Sequence, residues 1–169
     1  MKSSMCRRTL MAAGCFIASI LAAAPTVTVP AGIDPQPWDA LLTKYVDERG
    51  LVAYEKWKND PAELAALDAF IAQYAATPAR PAQGAEEIAA LINAYNAFTI
   101  RWILRHYPAE SVRALDASFS GARWNVGGRT VSLDDIEHRN LRPVYGWKGA
   151  KTSGFTFYLL QPTKQPVGV

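Results

Sequence analysis

One segment, residues 90–108 (ALINAYNAFTIRWILRHYP), limits what this chain can fold into more than any other. Its apolar residues recur at helical spacing. Glu86 and Glu87 suit the positive end, so the helix is expected over residues 85–107, with Pro108 stopping it. A helix apolar over so much of its circumference belongs in a core. Yet it carries Asn93 and Asn96, and an amide is costly to bury unless hydrogen-bonded. At about 100° per residue, Glu86, Glu87, Arg101 and Arg105 project to a solvent side with Ala90, Ala94 and Ala97 between them. Asn96 projects inside the opposite apolar arc, between Ile92 and Ile100, and Asn93 at its rim. Asn96 is therefore expected to be buried. It would either pin a loop backbone or orient a site residue. His106 reads as a hydrogen-bonded residue at the helix end.

The other segments supply the wrapping. Residues 38–46 have helical periodicity behind Pro37, and 47–50 read as a turn. Residues 51–54 suit a short strand. Asp60-Pro61-Ala62-Glu63 is a helix start, with the helix expected to reach about residue 76. Its buried stripe would be Leu64, Leu67, Phe70, Ile71 and Tyr74. A short helix is expected over 111–115. Residues 124–131 read as a β-hairpin turning on Gly127-Gly128, and Ser132 as the cap of a helix ending near Leu141. The expectation is an α+β, helix-rich single domain with a long central buried helix and a small antiparallel β element, incomplete at its C-terminus.

The N-terminus addresses the chain. Lys2, Arg7 and Arg8 precede an apolar run over 9–24 that ends in Ala22-Ala23-Ala24, the form of a secretory signal peptide. The run is short for a spanning helix, which needs about 20 apolar residues. Residues 1–24 are read as the leader, 25–37 as a linker, 38–145 as the domain and 146–169 as an atypical tail. Periplasmic or extracellular localisation is expected, with an uncleaved anchor as the alternative. The chain has 18 Lys+Arg and 15 Asp+Glu. The three leader cations removed, the charges balance, so no nucleic-acid partner is expected. Membrane contact is expected only through the leader during export. Cys6 and Cys15 also fall in the leader, which leaves the mature chain without a thiol.

Four stretches in order carry a resemblance: Leu41-Leu42-x-Lys44-Tyr45-Val46-Asp47 with Gly50-x-Val52-x-Tyr54; Ala90-Leu91-Ile92-Asn93-Ala94-Tyr95-Asn96; Ile103-Leu104-x-x-Tyr107-Pro108; and Ser132-Leu133-Asp134-Asp135-Ile136-Glu137-His138 with Leu141-Arg142. Together they resemble the domain-of-unknown-function 547 family over about 38–142. The resemblance implies an exported or envelope-associated α+β domain. In the family an Arg-x-His-Phe strand and a Cys-Ala-Ser segment follow, which implies a papain- or transglutaminase-like hydrolase or acyl-transfer enzyme. Here neither segment follows Arg142, and no acidic residue occurs after Glu137. The chain is therefore expected to be truncated or frameshifted there, and inactive as a thiol enzyme. A short strand over 155–160 is the one element the tail suggests.

The candidate chemistry rests on few residues. Asp134 and His138 stand four apart on one helix face, so the carboxylate could orient the imidazole, with Glu137 beside them but pointing elsewhere. His138, Asn96 and Asn93 are the catalytic candidates; Asp134 and Glu137 are the orienting ones. Thr99 and Ser132 are nominal hydroxyl nucleophiles. Two histidines in the whole chain are poor metal ligation, and no metal or cofactor is expected. The substrate class stays open between a small molecule and a peptide. Two other readings stand beside the enzyme: a non-catalytic envelope module that binds or supports an envelope protein, and an inactive remnant.

Overall fold

The computed structural model describes residues 27–142. The leader, Tyr145, the tail and its suggested strand lie outside them. Helix α1 spans Gln36–Tyr45, α2 Tyr54–Lys58, α3 Pro61–Ala72 and α4 Ala85–His106. A 3-10 turn at Val112–Ala114 precedes strands β1 (Trp124–Val126) and β2 (Arg129–Val131). A π-helical segment, α5 (Asp135–Leu141), follows. Among the described residues no helix is long and apolar enough to cross a membrane.

Local sequence explains most boundaries. Asp60 accepts the Glu63 N–H at 3.3 Å, and Pro61 fills the first helical turn, so α3 starts where its cap sets it. Lys44 on α1 reaches Asp60 at 3.1 Å and Glu63 at 2.5 Å, and the Tyr45 hydroxyl donates to Asp60 at 3.0 Å. The α3 cap is thus also the joint between α1 and α3. The expected strand over 51–54 shrinks to a single bridge, Val46 with Val52, because α2 begins at Tyr54. The hairpin turns where expected, with Gly127 at φ 60° and Gly128 at φ 76°, as a two-residue turn of this hand requires.

The core is aromatic. Trp38 stacks on Phe70, Phe70 meets Tyr74 edge-on, Tyr74 meets Phe98 and Phe98 stacks on Trp124, at centroid distances of 5.4, 5.5, 5.9 and 4.6 Å. This run crosses from α1 through α3 and α4 to β1. Each ring carries roughly 1.5–3 kcal/mol of burial. Tyr45 on Trp57, at 4.6 Å, adds α2. The architecture is α+β, helix-rich, with one small antiparallel sheet in the described residues and α4 at its centre.

Two expectations are corrected here. The stretch read as a linker is part of the fold from residue 27 on. Val27 and Val29 are buried, Ala82 N–H donates to Val29 O at 2.9 Å, and Ala31 N–H to Arg80 O at 3.0 Å. Two valines in a short Pro-rich stretch found core space that composition did not reveal. The projected solvent side of α4 holds only in part: Glu86 and Arg105 are exposed, but Ala90, Ala94 and Ala97 are buried, and Arg101 forms a two-pronged pair with Asp68 of α3 at 2.6 and 2.9 Å. Alanine lets neighbouring backbone approach closely, so the middle of that side packs while Glu86 and Arg105 at its ends stay in water.

Candidate functional site

The sequence-derived candidates lie on α4 and α5, which pack against each other. Ser132 and Asp135 start α5 by a reciprocal cap. Asp135 N–H donates to the Ser132 hydroxyl at 3.0 Å, and Ser132 N–H and Oγ–H donate to Asp135 Oδ2 at 2.9 and 2.8 Å. The segment then winds wide. Arg142 N–H reaches the Glu137 carbonyl, and the Asn140 side-chain amide donates to the Asp135 carbonyl at 3.0 Å, both five residues back. Such π segments recur at functional sites. Asn140 is itself buried and accepts Val27 N–H at 2.8 Å, fastening the N-terminal stretch to α5.

The wide turn separates the two acidic neighbours of His138. Asp134 and His138 do share a face, but Oδ1 and Nε2 stand 3.9 Å apart with 42% and 55% of the side chains exposed. A pair so long and wet orients the imidazole weakly. Glu137, expected to point elsewhere, turns inward with 17% of its side chain exposed. It accepts the Tyr95 hydroxyl on Oε2 at 3.3 Å and Arg142 Nε on Oε1 at 3.0 Å. Burial, reinforced by the Glu137 charge, pushes the Tyr95 phenol well above its usual range, so it remains a donor. Helical spacing alone makes Tyr95 one more residue of the apolar face. Its place between the two asparagines was the available signal.

Asn96 is half-buried rather than buried, as is Asn93, and neither side chain makes a hydrogen bond among the described residues. They are not joined to His138. The expected burial of Asn96 assumed that one arc of α4 is covered along its whole length. The covered arc shifts instead, with Ile92 half-exposed and Ile100 buried. His106 donates its Nδ1–H to the Trp102 carbonyl at 2.8 Å and is exposed. The nominal nucleophiles are occupied: Thr99 donates to the Tyr95 carbonyl at 2.7 Å, and Ser132 is the cap of α5.

Beside Asp134 opens a cleft of about 370 Å³ that the sequence did not indicate. Arg113, Leu115, Phe119, Ser120 and Asp134 stand around it, over the turn at Ala117-Ser118. That turn is held from several sides. The buried Ser118 hydroxyl accepts from Trp102 Nε1 at 3.1 Å and shares its proton between Val112 O at 2.6 Å and Leu115 O at 2.8 Å. Arg123, seated 3.7 Å over the Trp102 ring, donates to Ser118 O at 3.2 Å and to Ala117 O at 2.9 Å. Asp134 N–H donates to Phe119 O at 3.0 Å, which ties the cleft to the start of α5. Ala117 sits at φ 47°, a left-handed conformation that costs a non-glycine residue on the order of 1 kcal/mol. No group of three or more His, Cys, Asp or Glu is placed to hold a metal ion among the described residues.

A family model described as "Protein of unknown function, DUF547" matches residues 80–165. The chain belongs to the DUF547 family. The DUF547 match takes in α4, the cleft, the hairpin and α5, and so every candidate residue named above. It starts later than the motif-level resemblance, leaving out α1 to α3, and runs on past Arg142 into the tail. No curated protein and no solved structure matches the chain.

Proposed function

We propose that this DUF547 chain is an exported recognition domain that binds a small molecule or peptide at the Asp134 cleft and does no chemistry there. The observation carrying this reading is the construction of the cleft: a strained turn fixed by Trp102, Arg123 and Asp134, with its serine hydroxyl already committed to two backbone carbonyls. The cleft, of about 370 Å³, is open to solvent on one side, so a ligand there would be small and held against one wall. Export rests on the basic start and apolar run over residues 1–24. The envelope is the matching place of work.

A hydrolase or acyl-transfer enzyme is the second reading. It is favoured by the π-helical turn that carries His138, 3.9 Å from Asp134, a residue lining the same cleft. Water would be its attacking group, with His138 as general base. One assay separates the two. The purified chain and its His138→Ala variant are offered generic ester, amide and glutamyl substrates. The recognition reading expects no difference between them. Turnover that disappears in His138→Ala overturns it in favour of the enzyme.

A further inference from the structure

We infer that the cleft beside Asp134 takes a small zwitterion of the amino-acid type with an apolar side chain; this rests on the recognition reading and names its ligand. Two opposite charges line the one cleft without neutralising each other. Among the described residues Arg113 has no ion-pair partner, and the ionic neighbour of Asp134 is His138, at 3.9 Å. A guanidinium presents paired donors that match a carboxylate, and a carboxylate takes up an ammonium group. Leu115 and Phe119, both half-buried, give the same cleft an apolar wall. A ligand carrying both charges satisfies Arg113 and Asp134 together, and its side chain removes apolar surface from water. A mono-anion or a mono-cation leaves one wall charge without a partner.

The frame is preorganised for this. Asp134 is placed by its own N–H on Phe119 O, and the 3-10 turn carrying Arg113 is capped by Ser111, whose hydroxyl accepts Ala114 N–H at 3.1 Å. The Ser118 hydroxyl joins that turn to Trp102 of α4. Gly121 keeps the frame closed: a Cβ there would lie 2.0 Å from Arg123 Nη2 and 2.7 Å from Ala117 O. The backbone of the site is therefore fixed in advance, and binding has chiefly the exposed Arg113 side chain to order, which favours a small ligand.

The test is calorimetric titration of the purified chain with L-leucine and L-phenylalanine, alongside their N-acetyl and carboxamide derivatives. The free amino acids are expected to bind saturably, and masking either charge to weaken binding at least about tenfold. Arg113→Ala is expected to abolish discrimination against the carboxamide only, and Asp134→Asn discrimination against the N-acetyl form only. Equal binding of masked and free forms overturns the zwitterion, as does absence of binding by both amino acids at millimolar concentration. Those failures leave the recognition reading standing unless the His138-dependent turnover described above is also found. The ligand derivatives read the charges with the protein unaltered, so the outcome does not depend on either variant folding.

Discussion

The Tyr95 hydroxyl donates to Glu137 Oε2 at 3.3 Å, joining the middle of α4 to the π-helical α5. Tyr95 is 3% exposed, so the bond is made largely out of water. Arg142 holds the other carboxylate oxygen, so Glu137 is fixed from two sides. The bond is long, which places its contribution at the low end for a hydrogen bond to a charged group. Tyr95→Phe is expected to lower the unfolding free energy by about 1 kcal/mol. In a cycle with Glu137→Gln the two losses should be sub-additive by about 0.5–1 kcal/mol. Urea unfolding of the four chains measures this; strictly additive losses would show that the contact carries no energy.

The hairpin turn makes a sharper prediction. Gly127 lies at φ 60°, and a Cβ there would come within 2.0 Å of the Thr28 carbonyl oxygen. Its N–H donates to Tyr74 O at 2.8 Å, so the turn cannot swing away without losing that bond. Gly127→Ala combines left-handed strain with a backbone clash and should cost more than about 2 kcal/mol. Gly128 has the same hand, but its nearest obstacle is the Thr77 hydroxyl, a side-chain end that can rotate. Gly128→Asn is expected to cost less than Gly127→Ala, with asparagine tolerating the conformation. Thermal unfolding midpoints of the two variants check the order, and the reverse order refutes the clash argument.

These residues show what the sequence could and could not tell. The α3 cap, the Gly-Gly turn and the Ser132 cap were legible because each depends on residues a few positions apart. The α4 helix was legible from periodicity, and its family from motif order. What failed was non-local. That Ala94 and Ala97 face a neighbour depends on where α3 lies. That Val27 and Val29 are core depends on Ala82 and Asn140. The π-winding of α5, which turns Glu137 inward and leaves Asp134 and His138 outward, leaves no mark in the hydrophobic pattern. The cleft is built from a turn around the strained Ala117, an arginine over a tryptophan, and the start of α5, which only the fold brings together.

Tyr74 offers a test in the opposite direction. It is fully buried, and its hydroxyl has no hydrogen-bond partner among the described residues. Burial alone holds that phenol well above its usual range. A desolvated, unpaired hydroxyl costs about 1–3 kcal/mol, whereas the ring edge contacts to Phe70 and Phe98 need no oxygen. Tyr74→Phe is therefore expected to leave stability unchanged or raise it by about 1 kcal/mol. Tyr45→Phe is the control, since its hydroxyl donates to Asp60 at 3.0 Å, and it should lower stability. Chemical denaturation reads both; a clear loss in Tyr74→Phe would mean that its hydroxyl is satisfied in solution.

Acid should weaken the fold through three carboxylates. The Lys44 ammonium, with help from the Tyr45 hydroxyl and Glu63 N–H, holds Asp60 below the usual range. The Leu51 N–H, joined by Arg49, does the same for Asp47. At Asp135 burial pushes upward, but the bonds from Ser132 and the charge of Arg139 outweigh it and the net shift is down. A carboxylate whose folded pKa lies below its unfolded value of about 3.9–4.3 binds fewer protons folded than unfolded. Its contribution is complete above the unfolded value and is lost as pH falls through the folded one. Stability should be flat above about pH 5 as far as these groups are concerned and fall below about pH 4. Asp135→Asn removes one of the three groups, so its acid fall should be shallower than that of the parent chain. Unfolding free energies between about pH 2 and 6 measure the two slopes, and equal slopes would show that the Ser132 cap does not hold the Asp135 proton off.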